Sequence, residues 1–524
     1  MPPIRRQPLV QAGRCLHRPG ATLVRPSNKA SGLSGVAAAS IRFASLSSSH
    51  SNKRERVVIL GSGWAGYGFA RTLDPKKYER IMISPRSYFV FTPLLAGTSV
   101  GTLEFRATLE SVRRLELDHF HQGWADDVDF SKKVIRVEAN TSDDLASRTH
   151  MSPLKPSELQ GKKGALFDVP YDKLVIAVGS YSQTFGIEGV KEHANFLRDV
   201  GDARKIRLRV LQCFEKAALP TTTDAERNKL LHFAVVGGGP TGIEFAAELH
   251  DLIQDDLKKL YPAIMEFVSI TVYDVAPKVL PMFDQTLANY AMNVFRREGI
   301  QVKTQHHLTG IRPDDETEGC LKLKIQEYGD DEVSAGIVVW STGLMQNPLV
   351  QKLEQKIFPP NSAVLGEAKS AVEVKLHKDP KTGSILTDRH LHVSVTPADS
   401  KPDQETPASV LPDVYAIGDC AVIEGQALPA TAQVASQKAT YLAKRFNKGN
   451  ANAPEFKFRN WGTMTYLGNW KAIHQSSNDE IKGWAAWVLW RTAYLTKSMS
   501  IRNKIMVPIY WCISWAFGRD ISRF

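Results

Sequence analysis

Two copies of one local pattern predict an α/β fold built from two nested, doubly wound units with mainly parallel sheets. Each copy is a short apolar strand, a glycine-rich turn and a helix, and each is followed far downstream by a second apolar strand that ends in small residues. At 524 residues the chain is long enough for several domain-sized units. Hydrophobic residues make up 43% and charged residues 23%, which is ordinary globular usage and excludes a mainly disordered or fibrous chain.

The formal charge of +11 would ordinarily raise nucleic acid or an anionic membrane as a partner. Its distribution argues otherwise. Residues 1–50 hold seven Lys/Arg and no acid, and residues 481–524 hold seven against Asp520 alone, so the span between is close to neutral. A basic nucleic-acid groove is therefore not expected. The first tail, with Arg5, Arg6, Arg14, Arg18, Arg25, Lys29, Arg42 and eight serines, reads as a mitochondrial transit peptide cut near 42–45. No run of about 18 apolar residues follows it, so no amino-terminal anchor is expected.

The first glycine copy runs from a strand at 56–60 into Gly61-Ser62-Gly63-Trp64-Ala65-Gly66 and a helix over 67–73. Glycines there allow a tight turn and close approach of backbone to a pyrophosphate, while the helix start supplies N–H groups and a favourable dipole. The second copy runs from 231–236 into Gly237-Gly238-Gly239-Pro240-Thr241-Gly242 and a helix over 243–260. Two dinucleotide sites follow. After the second, the strand 268–273 ends at Asp274, placed to bind ribose hydroxyls and to repel the extra phosphate of NADP, with Lys278 nearby to soften that choice. The first site has no such acid: its strand 80–83 ends in Ser84-Pro85-Arg86.

Later strands complete the pattern. Residues 174–179 and 337–343 are apolar strands ending in small-residue turns, one after each glycine copy, and 414–419 is a strand that delivers Asp419. In this order they describe a two-dinucleotide flavoprotein of glutathione-reductase-like architecture. Five isolated cysteines, Cys15, Cys213, Cys320, Cys420 and Cys512, form no C-x-x-C pair and no zinc spacing, so redox chemistry must come from a bound cofactor. The acidic run 314–319 superficially suggests a calcium loop, but its twelfth position is Ile325 where glutamate is required.

With Ser84-Pro85-Arg86-Ser87-Tyr88-Phe89, Phe91-Thr92-Pro93-Leu94-Leu95, the segment 237–244 and Ala432-Gln433-Val434-Ala435-Ser436-Gln437, residues 54–524 closely resemble the type II NADH dehydrogenases. These are single-subunit alternative NADH:ubiquinone oxidoreductases, and the mitochondrial, matrix-facing fungal branch is the nearest look. Its calcium-regulated members are a poor match. The resemblance implies one non-covalent FAD on Gly61, Gly63, Gly66, Ser84, Arg86, Thr92, Pro93, Gly179 and Asp419. It implies NADH as substrate on Gly237, Gly239, Gly242, Asp274 and the turn from Ser341 through Thr342 to Gly343. Glu244 would lie near nicotinamide and flavin for substrate binding or proton relay, against the alternative of a structurally paired helix carboxylate. Gln433 and Gln437, four apart on one helix face, would offer amides to ubiquinone carbonyls, and Arg491 and Tyr494 would border the quinone tunnel.

The resulting partition is a split flavin domain, 54–228 with 345–450, an NADH domain at 229–344, and a tail at 451–524. Half of the tryptophans, Trp484, Trp487, Trp490, Trp511 and Trp515, fall in the last 44 residues beside several Lys/Arg, the composition of an amphipathic helix at an interface. The nearly apolar stretch 505–517 contains Pro508 and is too short to span a bilayer, so this region should lie on the inner-membrane lipid surface. The resemblance also implies a homodimer contact here. The expected reaction is NADH oxidation with two-electron reduction of ubiquinone and no proton pumping. Two alternatives stand beside it: a sulfide:quinone oxidoreductase using Cys420, and a flavin-bearing interaction protein like the apoptosis-inducing flavoproteins. Residues 396–409, rich in Pro, Asp and Ser, read as a surface loop.

Overall fold

In the computed structural model, residues 54–140, 164–359, 373–400, 409–449, 453–476 and 479–522 are described. The transit-peptide reading and most of the 396–409 loop lie outside them. Five strands, Ser409–Ala416, Lys173–Ile176, Glu55–Leu60, Tyr78–Ser84 and His119–Asp129, run parallel in that spatial order. Val57, Val58, Ile59 and Leu60 are all fully buried, because a parallel strand covered on both faces needs a continuous apolar run. Antiparallel strands extend the sheet at both edges, Val134–Ala139 and Leu166–Pro170 on one side and His392–Pro397 on the other.

A second parallel sheet takes the order Asn195–Phe196, Ile337–Trp340, His232–Val236, Ser269–Asp274, Gln301–Thr304. Beside it lies an antiparallel meander, Leu308–Pro313, Leu321–Ile325 and Glu332–Ala335, whose first turn carries Asp314. That carboxylate is paired with Lys229 at 3.2 Å. Ser180–Ser182 and Leu344–Gln346 pair antiparallel where the chain passes between the sheets. Asn195–Phe196 already belongs to the second sheet, although the sequence partition kept it with the flavin unit, since a two-residue strand carries no periodic signal.

Six helices matter for the site: α1 (Trp64–Thr72), α2 (Val200–Ala217), α3 (Pro240–Leu252), α4 (Ala432–Lys448), α5 (Trp484–Lys497) and α6 (Ile501–Phe517). Helix α3 is buried on every side from Gly242 to Leu252, and that stretch includes Glu244, Glu248, His250 and Asp251. The sequence read one helix from 243 to 260. The helical course does run to Leu260, but α3 gives way at Ile253–Leu257 to a single π turn, wider by one residue, on which both Asp255 and Asp256 pair with Arg519.

The tail begins with a three-stranded antiparallel sheet, Thr463–Gly468, Lys471–Gln475 and Glu480–Gly483, and ends in α5 and α6. On α6, Asn503, Val507 and Trp511 face inward while Ile501, Ile505, Ile509 and Ile513 stand exposed at the same four-residue spacing. No helix among the described residues is long and apolar enough to cross a membrane.

Candidate active site

The two glycine loops fold alike. Gly61 and Gly237 take left-handed backbone, φ +103° and +113°, which lets the chain turn sharply from strand to helix. Gly66 and Gly242 each lie against the carbonyl of the first glycine of their loop, where a side chain would collide. At Gly63 and Gly239 a Cβ would point into open space, so these are the positions at which another molecule can approach the backbone. Helices α1 and α3 start at those residues without a side-chain cap or an acid in the first turn, leaving N–H groups for a phosphate. The small-residue turns cross here as expected: Ala177 N–H donates to Leu60 O at 2.9 Å, and Ser341 N–H to Val236 O at 2.9 Å.

Around the first loop, Ser84 and Ser62 share a hydroxyl hydrogen bond at 2.9 Å. The Arg86 guanidinium pairs with Asp199 at 2.6 Å, and the Tyr88 hydroxyl donates to the same carboxylate at 3.2 Å. Asp199 also caps α2, so one acid holds the Ser-Pro-Arg segment and the helix together. Thr92 accepts from Trp64 Nε1 at 3.0 Å and opens the short turn that presents Pro93. Ser180 donates to Asp419 at 3.1 Å and accepts from Arg198 at 3.3 Å, while Arg198 Nη1 is buried with no partner among the described residues. Gly179 has φ +68° and open space where its side chain would be. Next to Asp419 opens a cavity of about 530 Å³, lined by Ser180, Leu344, Gln346, Ala430 and Lys438. An open glycine cradle, an unspent donor and a carboxylate beside a ligand-sized space fit FAD.

At the second loop Asp274 accepts from Ala276 N–H at 2.7 Å and from Gly238 N–H. Both of its oxygens are thus bonded to its own loop, at the end of the strand Ser269–Asp274 beside the glycines. Ser341 Oγ donates to Val236 O and Gly237 O at 3.0 and 3.2 Å, tying the Thr342–Gly343 turn to the glycines. Gly343, at φ +74°, is covered by the Phe185 ring.

Glu244 lies between the units and the tail. Its Oε1 accepts from Tyr466 N–H at 3.1 Å and from Trp490 Nε1 at 3.3 Å, and burial pushes its carboxyl up to about 8. Trp490 and Phe91 hold the Tyr494 ring edge-on at 4.9 and 6.2 Å. Arg491 is sandwiched between Trp487 and Trp511 at 4.5 and 4.3 Å, its buried Nε without a partner among the described residues. Gln433 and Gln437 share a face of α4, but their amides are engaged with backbone: Gln437 with Arg459 N–H and C=O at 3.0 and 2.8 Å, Gln433 with Trp461 N–H and Gly462 C=O at 3.3 and 3.4 Å. Each amide nitrogen donates one N–H in this way and keeps a second that a quinone carbonyl could accept.

Cys420 is fully buried, and burial pushes its thiol up to about 11; it donates to Ile417 O and Ile176 O at 3.4 and 3.6 Å. Such a thiol is inert as a nucleophile.

A family model described as pyridine nucleotide-disulphide oxidoreductase matches residues 55–374, and one described as NDH2 C-terminal domain matches 461–520. A probable NADH dehydrogenase of Dictyostelium discoideum is 38% identical, over 90% of this chain and 92% of its own. The mitochondrial internal alternative NAD(P)H-ubiquinone oxidoreductase A1 of Solanum tuberosum is 34% identical over 91% and 90%. The chain belongs to the type II NADH dehydrogenases. Among solved structures, the NDH2 of Plasmodium falciparum with NADH matches at TM-score 0.72 and 26% identity, over 90% of this chain and all of that one. The sulfide:quinone oxidoreductase of Aquifex aeolicus, at 16% identity and TM-score 0.57, shares the fold alone.

Several residues of this type II NADH dehydrogenase escaped the sequence reading. Glu248 stands one turn beyond Glu244, and that i+4 spacing was the available signal. Thr102, Tyr466 and Arg519 reach the same place from remote segments, and nothing local marks them. Lys438 is buried, donates to Ala421 O at 3.1 Å and is pushed down to about 8 by burial. It followed Gln437 in a helix that reads as ordinary.

Proposed function

We infer that this flavoenzyme oxidises NADH and reduces ubiquinone by two electrons at the surface of the mitochondrial inner membrane. The observation that carries this reading is the position of Glu244, which stands on the helix that opens the second glycine loop and is bonded to Tyr466 and Trp490 of the tail. One side of that residue belongs to the NADH unit and the other to the tail that carries Arg491 and Tyr494. The chemistry FAD supplies when bound is two-electron carriage between the two substrates.

Gly61, Gly63, Gly66, Ser84, Arg86, Gly179 and Asp419 would hold FAD, with Thr92 and Pro93 against its ring. Gly237, Gly239, Gly242, Asp274, Thr342 and Gly343 would hold and orient NADH. Glu244, neutral below about pH 8, keeps a proton at the junction without leaving a buried charge. Gln433, Gln437, Arg491 and Tyr494 would align the quinone head group, and the aromatic shell of Trp487, Trp490 and Trp511 excludes water from it.

The exposed apolar stripe of α6 supports monotopic membrane contact. Along it Ile501, Ile505 and Phe517 are 78, 56 and 87% exposed, which is costly in water and favourable at a lipid interface. Matrix orientation is supported by the transit-peptide reading of residues 1–50 and by the likeness to an internal alternative relative; a homodimer would use the same region as the membrane contact.

Anaerobic titration tests the reading. Flavin absorbance of the purified protein should bleach with NADH and recover on adding a short-chain ubiquinone. No flavin, or flavin that NADH leaves oxidised, would overturn it.

A further inference from the structure

Helix α3 carries a second buried carboxyl for which the reaction so far has no use. Glu248 lies one turn after Glu244, about 6 Å along the axis, on the same face. Its Oε2 accepts from the Thr102 hydroxyl at 2.7 Å, and Thr102 accepts in turn from Arg519 Nε at 3.0 Å. This leaves Glu248 Oε1 and Glu244 Oε2 without a protein partner among the described residues. Both residues line one small cavity of about 10 Å³, whose other walls include Pro93, Leu94, Ala96 and Trp511. That volume is at the threshold for a single water, and the two carboxyls are the polar groups that would hold it. At Gly97 a Cβ would come within 3.1 Å of Glu248 Oε1, so the bare backbone there leaves the carboxyl its room.

We propose that Glu248 is the relay residue behind Glu244, refilling it with a proton through one water held between the two carboxyls. Glu248 touches neither nicotinamide nor quinone and acts only through Glu244. This rests on the quinone-reductase reading, whose stoichiometry requires it: NADH, ubiquinone and one proton give NAD and ubiquinol, so one proton per turnover must enter from solvent. In the relay step Glu248 gives its proton to the water as the water gives one to the Glu244 carboxylate. Glu248 then reloads from solvent, towards which the same helix runs and where the Asp255 side chain is 65% exposed.

The charges around the pair favour that direction. Glu248 faces Arg519 from the end of α6, Arg491 from α5, Asp251 from its own helix, Thr102 and the Tyr466 hydroxyl region. Glu244 faces the Tyr466 N–H, Trp490, the Tyr494 phenol and Glu248, with no cation among them. Two guanidiniums therefore make Glu248 the readier donor and Glu244 the better resting place for the proton. Burial raises both carboxyls above their ordinary range, as expected for like charges that cannot both ionise in a dry site.

The test uses full-length, FAD-loaded protein and Glu248→Gln, which keeps the bond from Thr102 and loses the proton. Flavin reduction by NADH should be unchanged, while reoxidation by a short-chain ubiquinone should slow by about tenfold or more and show a larger solvent isotope effect. Infrared titration of the Glu244 carboxyl gives a readout apart from turnover: its midpoint should fall in the variant, because the negative neighbour is gone. Glu248→Asp should recover part of the rate. If Glu248→Gln fails to load flavin, Thr102→Val loosens Glu248 without touching α3 and should slow the same step. Reoxidation at the parent rate, or a slowing with unchanged isotope effect and an unmoved Glu244 midpoint, would overturn the relay. A parent enzyme that is reduced by NADH yet never reoxidised by quinone would overturn the underlying reading instead.

Discussion

At Glu244 a single carboxyl links stability to pH. Its folded-state value is raised from 4.5 to about 8, so the neutral form is the one the fold prefers. A group raised in this way contributes fully below its unfolded value, and that contribution is lost as pH rises through the folded one. Glu244→Gln, which can still accept from Tyr466 and Trp490, should therefore gain stability over the parent as pH rises from about 4.5 to 8. Urea midpoints across that range check it, and parallel curves would contradict it. At Asp274, replacement by Ser should raise the NADPH:NADH ratio of kcat/KM by about tenfold or more, since the carboxylate that meets the extra phosphate is removed. Glu244 was singled out through the family resemblance, which marks the first glutamate after the second glycine loop. Its neutral state was not legible, because the groups that bury it lie 222 and 246 residues away in sequence.

For whole elements the tail is the informative case. Tryptophans among Lys/Arg lead to the expectation of an interfacial helix, and the periodicity of α6 gives it two faces: the isoleucines at 501, 505, 509 and 513 point out, while Asn503, Val507 and Trp511 anchor it. Ile505→Glu with Ile509→Glu should abolish co-sedimentation with anionic vesicles and leave the melting temperature nearly unchanged, because exposed positions contribute little to folding. Retained vesicle binding would remove α6 as the membrane contact. The π turn after α3 was not legible, since one extra residue in a helix leaves no mark in composition or spacing. It matters because Arg519 pairs with Asp256 at 2.7 Å, both side chains being about one-tenth exposed, and with Asp255 at 3.2 Å. Arg519→Met leaves a buried carboxylate unpaired and should cost about 3 kcal/mol, read as a lowered urea midpoint.

Considered as one molecule, the enzyme is two parallel-sheet units braced by its own carboxy-terminal tail. The paired crossovers at Ser180–Ser182 and Leu344–Gln346 connect the units in the chain, and the tail connects them in space. Tyr494 packs on Phe91, Asn503 donates to Leu109 O at 3.1 Å and Ser514 to Thr102 O at 3.1 Å on the flavin side. On the NADH side, Trp490 holds Glu244 and Arg519 holds Asp256. The sequence showed two units because strand, glycine turn and helix are local patterns; it could not show the brace, whose contacts are all long-range. Both glycine loops lie wholly outside the tail, whereas residues 500–524 carry Trp511, which covers one face of Arg491, and Arg519, which holds Thr102 beside Glu248. Removing residues 500–524 should therefore separate the two half-reactions: NADH should still bleach the flavin, and ubiquinone should no longer restore it at a comparable rate. Stopped-flow absorbance reads both steps in one preparation. Full quinone reoxidation in the truncated protein would mean that α6 serves the membrane contact alone and that the quinone wall is complete without it.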